Sequence, residues 1–166
     1  MTAGSVVTAP VPRTYKGILW GGLVAGVLDI CYAFALAGFL RGRSPVWVLQ
    51  SVASGLLGAR SYQSGLPAAA FGAVAHLLIA TTWAAVYFFA SRRLPSLVQR
   101  PVFCGLVYGI AVYLFMNFVV IPLSAIHVMP NYAPAVLLRG VLGIMLFVGL
   151  PIALINRAVA LRDSRP

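Results

Sequence analysis

Four polar residues stand inside long apolar stretches of this sequence, and they are the candidates for chemistry. Asp29 lies in WGGLVAGVLDICYAFALAGF at residues 20–39, and later apolar stretches hold His76, Asn117 and Arg139. An ionised side chain at the centre of a bilayer costs roughly 2.5–3.5 kcal/mol on insertion scales, so it is neutral or partnered and is functional by default. We therefore expect Asp29 and His76 to handle a proton or a cation. Arg139 and Asn117 are placed to receive an anion or a polar solute.

The composition is that of a membrane protein. The 166 residues are 61% hydrophobic and 8% charged, with a mean hydropathy of +0.98, whereas soluble domains are about 25% charged. The net charge of +10 does not predict nucleic-acid binding, because the basic residues lie singly or in small groups at the ends of apolar runs. That placement is typical of membrane topology and contact with lipid head groups. Cys31 and Cys104 lack metal-ligand spacing, and we expect no metal and no other cofactor.

The lengths of the apolar runs predict an all-α fold, a bundle of four transmembrane helices. A crossing needs ~20 residues, or ~30 Å of helix, and four runs are long enough: residues 17–40, 67–90, 102–123 and 134–156. Residues 1–16, rich in proline, threonine and small residues, are predicted to be a flexible N-terminal tail. Residues 157–166 are predicted to be a basic C-terminal tail.

A short helix is predicted between the first two spans. Ser44 is a typical N-cap and Pro45 a typical first helical residue, so the helix covers residues 45–57 and is too short to cross a membrane. Leucines and valines dominate one side of it, and Gln50 and Ser54 lie on the other. This amphipathic pattern favours a helix in the membrane interface over one that re-enters the bundle, and both remain open.

Rows of small residues indicate which helix faces meet. Helices in lipid associate where small residues allow close backbone approach, and at spacings of three and four such residues share one face. In each span the row of small residues continues on the same helix face to the polar residue of that span. The polar side chains should therefore point into the bundle. The predicted packing glycines are Gly22, Gly26, Gly72, Gly105, Gly109 and Gly143. The predicted cavity is lined by Asp29, His76, Asn117 and Arg139, with Tyr32 and Tyr113 as hydroxyl donors.

Each polar residue also has a structural interpretation. Asp29 is also explained as a structural partner of Arg139 or His76 that fixes helix register. His76 suits an interhelical hydrogen bond, and Arg139 suits a side chain that reaches the head groups. No catalytic residues are predicted, since the sequence has only two acidic residues and no HExxH, GxSxG, P-loop or GxGxxG motif. An enzyme acting on lipid or quinone is therefore the least favoured class.

Several segments resemble a family of small, uncharacterised bacterial inner-membrane proteins, the YagU-like proteins. They are GGLVAGVLD at residues 21–29, RSP at residues 43–45 with the helix VLQSVASGLLG that follows, the span holding His76, and CGLVYGIAVYLFMNFVVIPLS at residues 104–124. The resemblance covers most of the chain after the N-terminal tail. It implies a multi-pass protein of the bacterial inner membrane, and no established activity.

The prediction for function is a small transport or permeation protein with a polar intramembrane cavity centred on Asp29. The alternative is a non-catalytic scaffold or accessory subunit whose polar core only fixes helix packing. Eight cations on the side of the termini, against three or four on the other side, place both termini in the cytoplasm. The expected partners are membrane lipid and either a second copy of the chain or a partner membrane subunit, because so small a bundle leaves glycine-rich faces uncovered.

Overall fold

The chain folds into four long helices with a short helix after the first. The computed structural model describes residues 11–12, 14–126 and 133–164, and it contains no strand in those ranges. The long helices are apolar enough to cross a membrane, which confirms the predicted all-α bundle: α1 at Lys16–Arg41, α3 at Gly65–Ser91, α5 at Pro101–Leu123 and α6 at Pro134–Asp163. Two short helices connect them, α2 at Pro45–Leu57 and α4 at Ser96–Gln99, and a 3₁₀ turn at Gly58–Gln63 precedes α3.

The fourth long helix is longer than its apolar run. Helix α6 ends at Asp163 rather than at residue 156, so most of the predicted basic C-terminal tail is helical. Residues 157–163 contain alanine, leucine and arginine but no glycine or proline, and nothing in them stops a helix at the membrane surface. Asp163 accepts a hydrogen bond from the backbone N–H of Thr14 at 2.9 Å. The rest of the predicted N-terminal tail, residues 1–10 and 13, lies outside the described residues.

Glycines set how closely the helices approach. A Cβ added at Gly22 would lie 2.5 Å from Thr81 Cα, and one added at Gly109 would lie 2.5 Å from Met145 Cα. Helices α1 and α3 therefore pack antiparallel with their backbones close, as do α5 and α6. The other predicted packing glycines also lie at close contacts: Gly26 against Leu77 and Ala80, Gly72 against the Leu49 carbonyl, Gly105 against Ala153 and Gly149, and Gly143 against the Tyr32 ring.

These antiparallel pairs give the bundle two distinct ends. The terminal end contains the starts of α1 and α5 and the last residues of α3 and α6. The α2 end contains the last residues of α1 and α5, the starts of α3 and α6, and helix α2 itself. Aromatic side chains join α3 to α5, where the Tyr108 hydroxyl donates to the Trp83 carbonyl at 2.6 Å. The Tyr87 ring lies edge-on to Tyr108 with 4.9 Å between centroids.

Two π-helical turns interrupt the long helices, and each lies just before a proline. They cover Met116–Val120 in α5 and Met145–Gly149 in α6, and they precede Pro122 and Pro151. A proline inside a helix clashes with the carbonyl four residues earlier and offers no N–H to it, so the preceding turn widens. The prolines thus explain turns that hydrophobic periodicity does not predict.

Helix α2 begins as predicted but does not divide cleanly into two faces. The Ser44 hydroxyl accepts a hydrogen bond from the Trp47 N–H at 3.2 Å, which confirms the N-cap. Gln50 and Ser54, predicted on the polar side, are buried, whereas Leu56 is 69% exposed. Gln50 Nε2 donates to the Gly65 carbonyl at 2.9 Å, so the amide is bound to the start of α3 and does not face water. The prediction that α2 has one apolar side and one polar side facing water is therefore wrong, because α3 covers part of the polar side.

Candidate functional site

Asp29 and His76 lie side by side between α1 and α3. Asp29 Oδ2 is 3.9 Å from His76 Nε2, and the side chains are 24% and 14% exposed respectively. His76 Nε2 lies 2.9 Å from the carbonyl oxygen of Gly26. Since a carbonyl only accepts, this contact requires a hydrogen on Nε2. The imidazole is therefore held by backbone, and the carboxylate is its neighbour without a hydrogen bond.

Close packing of α1 on α3 creates this arrangement. An added Cβ at Gly26 would lie 3.1 Å from Ala80 Cβ and 3.9 Å from His76 Cδ2. The missing side chain leaves the Gly26 carbonyl open to the imidazole, and Asp29 is one helical turn further along α1 on the same side. The row of small residues that leads to each polar group thus brings the two groups together.

The Arg139 side chain lies away from this pair. Arg139 Nε donates to the carbonyl of Ala135 at 2.7 Å, within its own helix. The Arg139 carbonyl accepts a hydrogen bond from the Tyr32 hydroxyl at 3.1 Å, and the Tyr32 ring packs on Phe147 with 4.9 Å between centroids. The Tyr32 side chain therefore joins α1 to α6 through the backbone carbonyl of Arg139 and not through its guanidinium group. Among the described residues, the basic side chain at ion-pair distance from Asp29 is the imidazole of His76.

Asn117 is also bonded to its own helix. Its Nδ2 donates to the Tyr113 carbonyl at 2.9 Å, and it lies in the π-helical turn of α5. The Tyr113 side chain is 6% exposed and fills the space beside Gly140, where an added Cβ would lie 2.6 Å from its ring. The six predicted site residues thus form separate groups: Asp29 with His76, Tyr32 with Arg139, and Asn117 with Tyr113.

A groove of about 440 Å³ lies between α1 and α6 at the α2 end. Two arginines lie on it: Arg41, the last residue of α1, and Arg139. The remaining lining is apolar and consists of Ala33, Leu36, Ala37, Leu40 and Val136. The sequence predicts Arg139 in a polar cavity and Arg41 only as a charge at the end of a span, because periodicity does not show which neighbouring helix faces the end of α1.

A second buried polar pair, missed by sequence reasoning, lies at the terminal end. Asn156 is 2% exposed, and its Nδ2 donates to Ser91 Oγ at 2.9 Å. Asn156 Oδ1 has no hydrogen-bond partner among the described residues. The residue was interpreted as the end of the fourth apolar run. The continuation of α6 instead places it inside the packed part of the bundle, against Gly17.

The described side chains do not assemble a metal site: no group of three or more His, Cys, Asp or Glu residues comes together in the ranges 11–12, 14–126 and 133–164. Comparison of the chain with known protein families, curated proteins and solved structures found no match. The candidate site therefore depends on geometry alone, and the class that fold and composition establish is a multi-pass membrane protein.

Proposed function

We propose that this protein is a small permeation or transport protein in which Asp29 and His76 exchange a proton. Both groups change charge on protonation, and they are neighbours within spans. Intramembrane acids and histidines are typical of proton relays in pumps and transporters. Arg139 and Asn117, proposed from the sequence to receive a solute, bond to their own helices, so the proposal now depends on the acid and the imidazole.

One observation carries the proposal: the Asp29 carboxylate makes no hydrogen bond to a described residue. It is 3.9 Å from the imidazole and 24% exposed. A carboxylate that only locks helix register should be buried and saturated with short hydrogen bonds, because an unpaired ion in an apolar interior is costly. A partly exposed carboxylate without a hydrogen bond to a described residue is suited to binding and releasing a proton.

The proposed location is a bacterial inner membrane with both termini in the cytoplasm. Six described cations lie at the terminal end: Lys16, Arg92, Arg93, Arg100, Arg157 and Arg162. Four lie at the α2 end: Arg41, Arg43, Arg60 and Arg139. Cytoplasmic ends carry the excess of lysine and arginine, which supports this orientation. The inner-membrane assignment is part of this proposal and depends on the resemblance of the sequence to YagU-like proteins.

Proton flux into proteoliposomes tests the function directly. Vesicles with a trapped pH-sensitive dye are given a potassium gradient and valinomycin, and the internal pH is followed. Wild-type protein should acidify the vesicles faster than empty vesicles do, and Asp29→Asn should abolish the difference. Asp163→Asn is the matched control, because it removes the other acidic residue of the chain. Equal rates in wild-type and empty vesicles would overturn the proposal.

The scaffold alternative is favoured by a different observation. Close contacts lie beside the pair, since an added Cβ at Gly26 would lie 3.0 Å from Leu77 Cδ2 and 3.9 Å from His76 Cδ2. Neither Asp29 nor His76 lines the groove between α1 and α6. A scaffold should give no flux with wild-type protein, and Asp29→Asn should lower thermal stability. The protein should then co-purify with a second copy or a partner membrane subunit. Flux and stability of the same variant therefore separate the two functions.

A further inference from the structure

The groove between α1 and α6 combines fixed positive charge with an apolar wall. Arg41 is at the mouth and Ala33 lies eight residues deeper on α1, a difference of ~12 Å along the helix. The volume of about 440 Å³ falls within the ~300–1,000 Å³ range of small-molecule sites. Because the arginines lie at one end and the alkyl side chains continue below them, the groove matches a ligand with an anionic head and a hydrocarbon tail.

The chain itself has no acid to neutralise these arginines. Its only acidic residues are Asp29 and Asp163. Asp163 lies at the terminal end, where it accepts hydrogen bonds from Thr14, and Asp29 is beside His76. Since neither acid is beside Arg41 or Arg139, an anion bound at these arginines would come from outside the chain.

The Arg139 guanidinium is also oriented for such an anion. Its Nε is bound to the Ala135 carbonyl, while its terminal amino groups make no hydrogen bond to a described residue. Binding through Nε fixes the plane of the group and leaves the outer donors available, which suits a phosphate oxygen. Arg139 is five positions into α6, ~7.5 Å from its start, so the bound anion would lie at head-group depth.

From these observations we infer that the groove is a binding site for an anionic phospholipid, with its phosphate at Arg41 and Arg139 and an acyl chain along Ala33, Leu36 and Ala37. The bilayer supplies this ligand at the level of the two arginines. The site is independent of the proposed proton exchange, because neither Asp29 nor His76 lines the groove.

Native mass spectrometry of the detergent-purified full chain tests this site. Phosphatidylglycerol, phosphatidylcholine and inorganic phosphate are added separately, and the retained molecules are counted. One phosphatidylglycerol should remain bound, phosphatidylcholine should be lost at lower activation energy, and phosphate should not bind. Equal retention of the two lipids would overturn the proposal, and so would binding of phosphate alone. This comparison needs no variant.

Variants then locate the lipid. Arg41→Gln with Arg139→Gln should weaken phosphatidylglycerol binding about fivefold for each arginine. Arg93→Gln with Arg162→Gln removes the same charge at the terminal end and should leave binding unchanged. Ala37→Phe should weaken binding at constant charge by filling the groove. Equal losses in the two arginine pairs, or full binding by Ala37→Phe, would contradict a site in this groove. Circular dichroism identifies any unfolded variant. If the Arg41→Gln, Arg139→Gln double variant does not fold, lipid binding by Ala37→Phe still tests whether the site lies in this groove.

Discussion

His76 Nε2 lies 2.9 Å from the Gly26 carbonyl but 3.9 Å from Asp29 Oδ2, so the interhelical hydrogen bond of this pair belongs to the backbone and not to the acid. The imidazole would keep its place if the carboxylate lost its charge. The two residues therefore have separable roles. His76 joins α3 to α1 through its hydrogen bond to the Gly26 carbonyl, whereas Asp29 lies beside this bond and does not take part in it.

Stability measurements should reveal this separation. Asp29→Asn removes an ionisable group but no hydrogen bond, so the free energy of unfolding should change by less than the ~0.6 kcal/mol of an average interhelical bond in a membrane protein. His76→Leu loses the bond to Gly26 and should cost about 0.6–1.7 kcal/mol. Unfolding in a titration with dodecyl sulfate, followed by circular dichroism, provides both values. A larger loss for Asp29→Asn than for His76→Leu would show that the acid is the structural residue.

Gly22→Ala should separate α1 from α3. The added methyl would meet Thr81 Cα at 2.5 Å, and a backbone atom cannot rotate away. Overpacking of this kind costs about 1–3 kcal/mol, and the same unfolding titration measures it. Gly38→Ala is the control, because it makes the same change in the same helix, where the Arg43 carbonyl oxygen is 3.9 Å from the added Cβ. Similar losses for the two variants would mean that helix contact does not determine the cost.

The contact between Asn156 and Ser91 is suited to a double-mutant cycle. Ser91 Oγ accepts from Asn156 Nδ2 at 2.9 Å and donates to the Phe88 carbonyl at 2.7 Å. We expect Ser91→Ala to cost less in the Asn156→Ala background than in wild type, by about 0.6 kcal/mol and at most about 1.7 kcal/mol. Unfolding of the two single variants and the double variant yields this difference. Strict additivity would indicate that the hydrogen bond contributes nothing.

The long helices could be predicted because a membrane restricts what an apolar run can do. Every backbone group must be satisfied within the segment, so ~20 apolar residues have to be a helix. The prolines were harder to interpret: Pro122 and Pro151 do not end their helices at once but widen the turn before them. The end of α6 was also not predicted: the helix continues to Asp163, where Ala160 is buried and Asp163 accepts a hydrogen bond from Thr14.

The partners of polar side chains could be predicted only in part. The rows of small residues on α1 and α3 indicated the faces that contain Asp29 and His76. These faces pack against each other, and the two side chains lie 3.9 Å apart. The rows could not show that Asn117 and Arg139 bond to carbonyls of their own helices. Such local bonds compete with contacts between helices. Periodicity predicts the helix face on which a residue lies, but it does not show whether the side chain bonds to its own backbone or to a neighbouring helix.

Helix α2 packs so tightly on α3 that one methyl group should displace it. The nearest atoms to an added Cβ at Gly72 are the carbonyl group of Leu49 and, at 3.2 Å, the backbone nitrogen of Ala53. Neither is at the end of a flexible side chain, so Gly72→Ala must move α2 as a body. The displacement should also break the hydrogen bond from Gln50 to the Gly65 carbonyl and let solvent or lipid reach the buried polar side of α2.

Amide hydrogen exchange over Pro45–Leu57 measures this displacement. Exchange should accelerate throughout α2 in Gly72→Ala while the amides of α5 remain as protected as in wild type. Gly55→Ala is the control on α2 itself, where the nearest atom to an added Cβ is Ser124 Cβ at 4.0 Å, and its exchange should be unchanged. If α2 instead rests in the membrane interface without depending on α3, Gly72→Ala will leave its protection intact, because lipid would then hold the helix in place.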